Sequence, residues 1–222
     1  MNENKITVNK EDDRLLTTEQ ISSKLKEFKA EDLTQDSFIY VCAPRRSGKS
    51  TLCEDIIHNY RKKHKVDAVF LFSKSGAGFY QIPRSYRFRT LDNLQEIINL
   101  QLKVKQYNQK QKKESDKVSS RVICVIDDFL DGSKSLRSNQ LLSKLSTMGR
   151  HIAYKKEHND KKGNGIMVIC LSQDFVGISP RIRRNIDWCF TTKVPDRNQR
   201  KALVESYLCL KTGRNGLREA YN

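Results

Sequence analysis

The sequence predicts an α/β fold, with a mainly parallel central sheet and helices on both faces. Three observations predict it. Several short runs are apolar at nearly every residue, among them "SFIYVCA", "RVICVIDDF" and "GIMVICLSQ". Such runs read as strands buried on both faces, as in parallel sheets. They alternate with segments of helical spacing, the order that parallel crossovers require. Two of the runs end in polar groups, at the sheet edge where open α/β folds bind ligands.

Residues 1–37 are polar, with six basic and nine acidic residues, and read as an N-terminal extension before a body at 38–222. Ile21, Leu25 and Phe28 sit at helical spacing within it, which predicts one amphipathic helix. "SFIYVCA" is the first buried strand. "GKSTLCEDIIHNYRKKH" is a helix with Leu52, Ile56, Ile57 and Tyr60 on one face and basic residues at its C-terminal end, where the helix dipole favours them. "DAVFLFS" is a second strand, and "GAGFYQIPRSYRF" a loop with aromatics. "LDNLQEIINLQLKVKQYN" is a helix striped by Leu91, Leu94, Ile97, Ile98 and Leu102. It runs into "QKQKKESDKVSSR", a polar segment expected to lie in solvent. "RVICVIDDF" is a third strand and "SLRSNQLLSKLSTMGRH" a helix. "YKKEHNDKKGNG" is a basic loop and "GIMVICLSQ" a fourth strand. "SPRIRRNID" is a turn or short helix, "WCFTT" a fifth strand, and "PDRNQRKALVESYLCL" a last helix.

The chain has 222 residues and a net charge of +16. With −3 on residues 1–37, the body carries +19, which favours a polyanionic partner such as nucleic acid. The six cysteines, Cys42, Cys53, Cys124, Cys170, Cys189 and Cys209, form no C-x-x-C pair. That argues against a zinc knuckle or redox motif, and reduced thiols are expected. The four histidines show no metal-ligand spacing. No apolar signal region opens the chain and no run is long enough to cross a bilayer, so a soluble intracellular protein is expected.

Chemistry concentrates at three strand ends. "APRRSGKST" comprises Ala43, Pro44, Arg45, Arg46, Ser47, Gly48, Lys49, Ser50 and Thr51, between a strand and a helix. It matches the phosphate-loop pattern G-x-x-x-x-G-K-[ST] except that Ala43 stands at the first glycine. Backbone N–H groups and the helix N-terminus would face ATP phosphates, Lys49 would neutralise their charge, and Ser50 would ligate Mg²⁺. In "VICVIDD", Asp127 would hold Mg²⁺ and Asp128 would orient or deprotonate the attacking water. Gln173, ending "VICLSQ", would sense the γ-phosphate or that water. Arg150, Arg183 and Arg184 are candidates for an arginine acting across a subunit boundary.

Other nucleotide chemistries fail particular tests. A GTPase needs [NT]-K-x-D, and "TKVPD" carries an extra residue; "DDFLDG" misses the D-x-x-G spacing. A small-molecule kinase needs an arginine-bearing lid and an acceptor pocket, which the sequence does not locate.

Together these motifs resemble the genome-packaging ATPases of large double-stranded DNA viruses, virophages and related elements, in the FtsK–HerA class of P-loop motors. The resemblance spans roughly residues 38–192. It rests on "APRRSGKS", "VICVIDDF", "GRH" and above all "IMVICLSQDFVGISPRIRRNIDWCF". Ala43 and a longer, more basic loop before "GIMVIC" depart from the family pattern. The resemblance implies a RecA-like ATPase core and a homo-oligomeric ring of about five or six subunits. It also implies ATP at each interface, with Arg150 the first choice for the trans arginine. Duplex DNA would be held without base reading, through "QKQKKESDK" and "YKKEHNDKKGNG". A capsid or portal-like partner is implied, with action in a cytoplasmic viral factory or the nucleus and transiently on the virion. The competing readings are a helicase-like or recombination ATPase and a non-motor ATP switch.

Overall fold

The computed structural model describes residues 6–7, 15–16, 28–75, 78–129, 140–152, 164–175, 178–192, 194 and 196–206. The elements in chain order are β1 (Ile6–Thr7), β2 (Leu15–Leu16), β3 (Phe38–Cys42), α1 (Lys49–Lys63), β4 (Ala68–Ser73), β5 (Arg87–Phe88), α2 (Asp92–Lys110), β6 (Ser120–Asp127), α3 (Gln140–Ile152), β7 (Asn164–Ser172), α4 (Pro180–Arg183), β8 (Trp188–Thr191) and α5 (Arg197–Ser206). Strands β1 and β2 form a small antiparallel ladder. The other six make one sheet in the order β5-β4-β6-β7-β3-β8, with every pairing parallel.

The apolar strands divide their side chains between two cores, as the two-residue period of a strand requires. Tyr40, Cys42, Phe72, Cys124, Ile126, Val168 and Cys170 face one side, against Leu94 and Ile98 of α2, Leu142 and Leu145 of α3, and Ile182 of α4. Ile39, Val41, Leu71, Ile123, Val125, Ile169 and Leu171 face the other, against Cys53, Ile56, Ile57 and Tyr60 of α1. The sheet is therefore covered on both faces, as the sequence predicts.

Residues 28–37 pack onto the body. Ala30 and Leu33 are buried in the α1-side core, and Phe28 meets Trp188 and Phe190 edge-to-face at 5.0 and 4.8 Å. A 3-10 turn covers Ala30–Asp32, and the helix expected around Ile21 and Leu25 lies outside the described residues. Strand β5, expected as loop, is a two-residue edge of the sheet.

The segment after α2 is not wholly in solvent. Asn108 is buried, and its side-chain amide both donates to the Val118 carbonyl and accepts from the Val118 N–H, each at 2.9 Å. Gln101 Nε2 donates to Ser120 Oγ at 2.7 Å. The connector had to be tied down because it feeds directly into the buried strand β6.

Five cysteines are free, four of them buried. Burial pushes the Cys42, Cys124 and Cys170 thiols up to about 12 and Cys189 up to about 11, so they pack as small hydrophobes. Cys209 lies outside the described residues.

Candidate nucleotide site

The loop between β3 and α1 takes its shape from its own side chains. Ala43 is buried and donates its N–H to the Ser172 carbonyl at 3.1 Å, extending the β3–β7 ladder by one residue. Alanine serves there because the backbone does not enter the left-handed region, which among described non-glycine residues holds only Arg46 and Asp128. Gly48 does need to be glycine: its φ is +88°, although a Cβ would meet nothing within 4 Å. Arg46, at φ +61°, takes the same conformation at the cost that a side chain brings. Two positive-φ residues this close turn successive N–H groups to one side, an arrangement suited to anions.

Lys49 Nζ donates to the carbonyls of Ala43 and Pro44, each at 2.8 Å, and Ser47 Oγ donates to the Pro44 carbonyl at 2.6 Å. The ammonium is thus held at the mouth of the loop. Burial lowers its pKa, while the charges of Asp127 and Asp128 pull it back up. The lysine and the acidic pair therefore lie within electrostatic reach of one another. Arg45 and Arg46 are exposed around it.

The acidic half is assembled by topology. Strand β7 runs between β3 and β6, so Gln173, just beyond Ser172, emerges between the phosphate loop and the acidic strand end. Asp127 closes β6 opposite Ser73 of β4 and Leu171 of β7. Ser73 Oγ donates to Asp127 Oδ2 at 3.1 Å. Burial pushes the Asp127 carboxyl above the usual range and Asp128 adds to this, while the Ser73 hydrogen bond and Lys49 oppose it. Asp128 sits at φ +57°, a conformation that aspartate tolerates better than most residues. Its Oδ1 accepts from Gln173 Nε2 at 3.3 Å. The structure thus brings Asp128 and Gln173 into contact across 45 residues of sequence.

Two contributors escape sequence reading. Ser73 ends "FLFS", an ordinary strand end until β4 is known to pair with β6. Gly78, at φ +87°, carries its loop past α1, where a Cβ would lie 3.5 Å from Ser50 Oγ. That loop is pinned by buried Phe79 and Ile82. Arg87 reinforces it through Nε to the Ile82 carbonyl at 2.8 Å and a second bond to the Phe79 carbonyl.

The three candidate arginines lie on or beside α3 and α4. Arg150 is near the end of α3, Arg183 ends α4, and Arg184 follows exposed. Helices α3 and α4 pack together through the same core. Among the described residues no group of three or more His, Cys, Asp or Glu could hold a metal, and no helix is long and apolar enough to cross a membrane.

No protein-family model matches the chain. An uncharacterized protein of Acanthamoeba polyphaga mimivirus is 24% identical over 188 residues, 83% of this chain and 62% of the relative. The chain thus spans under two thirds of the length of that relative. Among solved structures, it is similar to the genome packaging NTPase B204 from Sulfolobus turreted icosahedral virus 2. The sulfate complex of that protein aligns with a TM-score of 0.56 at 12% identity, covering 84% of this chain and 86% of that one. Its AMPPCP complex aligns at 0.54 and 13%, covering 85% and 86%. The cytoplasmic domain of EssC aligns at 0.52 and 15%, over 76% of this chain and 35% of that one. At these identities the likeness establishes the fold alone, a parallel six-stranded α/β sheet covered by helices that the chain shares with those structures.

Proposed function

We propose that this chain is an ATPase that drives double-stranded DNA into a viral capsid. The observation that carries the ATPase reading is the contact of Gln173 with Asp128, on a strand lying between the phosphate loop and the acidic strand. On this reading one edge of the sheet would carry a phosphate cradle, a general base and a polar amide to hold the attacking water. ATP would bind with its phosphates on the loop N–H groups and Lys49. Asp128, its backbone fixed at positive φ, would accept the proton of the water.

The donor set fits a hard divalent cation. Ser50 supplies a hydroxyl and Asp127 a carboxylate, and Mg²⁺ commonly takes one or two carboxylates besides phosphate oxygens and water. Burial disfavours the ionised Asp127 in the protein alone, a cost that a cation would offset. When bound, Mg²⁺ would neutralise developing phosphate charge.

The DNA assignment draws support from the charge of +16 and from the fold shared with the packaging NTPase B204. On this reading the body meets DNA phosphates without reading bases. Lys112 and Lys113, exposed beyond α2, are one set of contacts. The basic loop at 154–165 is a second, and its residues 154–163 lie outside the described residues. A ring of about five or six subunits would bring an arginine of one subunit to the ATP of the next, with Arg150 first and Arg183 or Arg184 behind it. Capsid docking, action in a cytoplasmic factory or nucleus, and kinship with virophage enzymes belong to the same proposal.

A triplex-displacement assay tests it. A translocase moving on duplex DNA strips a third strand in an ATP-dependent way and leaves the duplex paired. Separation of the duplex itself would favour a helicase-like enzyme, and retention of ATP without turnover would favour a switch.

A further inference from the structure

We propose that Gln199, on the C-terminal helix α5, is a positioning residue for hydrolysis. Its amide clamps the turn that follows Gln173 and thereby holds Gln173 against Asp128. The inference rests on the ATPase reading above and names what sets its geometry.

The turn Gln173–Asp174–Phe175 is held from two sides. From the sheet, Tyr40 Oη donates to the Asp174 carbonyl at 2.6 Å. Ser172 Oγ donates to the same carbonyl at 3.1 Å and accepts from the Asp174 N–H at 3.0 Å. From α5, Gln199 Oε1 accepts the Phe175 N–H at 2.9 Å, and Gln199 Nε2 donates to Asp174 Oδ1 at 2.8 Å. One side-chain amide thus satisfies a backbone donor and a carboxylate together. Glutamate lacks the donor, and an apolar residue would remove both bonds.

Gln199 is itself fixed. Its N–H donates to Asp196 Oδ1 at 2.8 Å, and Arg200 N–H donates to the Asp196 carbonyl at 3.0 Å, so Asp196 caps α5. "DRNQ" reads in sequence as a capping box, with glutamine at its third helical position. In the fold that amide bridges to the turn after β7. Buried Phe175 anchors the turn in the core beside Ile178 and Ile182.

The contact being set is long. Gln173 Nε2 lies 3.3 Å from Asp128 Oδ1, near the outer limit of a hydrogen bond. A small drift of the turn breaks it. The path from α5 to Asp128 runs through this turn to the Gln173 side chain, so the seating of α5 contributes to how far that glutamine engages.

The test is a double-mutant cycle on kcat and KM in the full chain, combining Gln199→Ala with Gln173→Ala. Gln199→Ala is expected to lower kcat about tenfold with KM for ATP changed less than about twofold, and to change kcat less than about twofold when Gln173 is already alanine. Gln199→Glu should be similarly impaired at pH 8. It should recover relative to wild type as pH falls, because a proton shared between two facing carboxyls restores the missing donor. An unchanged kcat in Gln199→Ala, or an equal loss with and without Gln173, would overturn the proposal.

Hydrogen exchange provides a readout that needs no turnover. Gln199→Ala and Gln199→Glu should both exchange faster at Asp174–Phe175, with α1 amides unchanged. Unaltered exchange there would overturn the clamp. Absence of turnover in wild type would instead contradict the ATPase reading, with exchange still deciding whether the clamp exists.

Discussion

The phosphate loop is one unbroken stretch from Ala43 to Ser50, whereas the acidic half of the site is gathered from β4, β6 and β7. The loop organises itself through Lys49 and Ser47 bonded to its own carbonyls. The acidic half depends on neighbours: Ser73 on Asp127, Gln173 on Asp128, and Gln199 on the turn behind Gln173. A self-contained loop should fail in binding and chemistry together when broken. A gathered constellation should lose chemistry in graded steps while nucleotide binding survives.

The largest effect should come from the loop. Lys49→Ala is expected to reduce turnover by about 10³-fold or more, because on the proposed reading it would remove both phosphate binding and transition-state charge stabilisation. Filter binding of ATP beside a turnover assay checks it. Retained ATP affinity would break the contrast, since the loop would then be separable into binding and chemical parts.

Asp128→Asn comes next. It should lower kcat by about 10²–10³-fold with ATP affinity nearly unchanged, the signature of a lost general base. Ser73→Ala should be milder, with kcat down less than about tenfold, the scale of one hydrogen bond of about 1 kcal/mol. The Ser73 hydroxyl lowers the Asp127 pKa, so its removal should move the acid limb of the pH–rate profile to higher pH. A limb that stays in place would mean that this hydrogen bond does not tune Asp127.

The smallest effect concerns stability. The folded-state pKa of Asp127 is raised by burial, so the unfolded chain releases that proton first. Ionised Asp127 therefore costs stability above its folded pKa, and the cost disappears below its unfolded one. Asp127→Asn should raise stability at pH 7–8 by about 0.5–2 kcal/mol while abolishing turnover, and the gain should vanish in acid. Thermal unfolding at two pH values checks it.

The same contrast explains what the sequence reveals. The apolar strands and the helices between them follow from pattern alone, because a strand buried on both faces must be apolar throughout. The phosphate loop is legible because local backbone geometry demands its glycine and its order. Asp127 and Asp128 are legible as polar ends of an apolar strand. Ser73 is not, since "FLFS" gains meaning only when β4 lies beside β6. Asn108, at the end of a stretch that reads as helix, is buried because the segment that reads as polar linker doubles back to it at Val118. Gln199 is hidden for a different reason, since its sequence neighbourhood already offers a helix cap as its use. Strand order was equally beyond local pattern: that β7 separates β3 from β6 is what gives Gln173 its place.

The proposed coupling of ATP hydrolysis to DNA is measured by steady-state turnover with and without linear double-stranded DNA, with Lys49→Ala as control. Turnover should depend on Lys49 and be strongly stimulated by duplex DNA. Turnover indifferent to DNA in the assembled protein, or none at all, would contradict it.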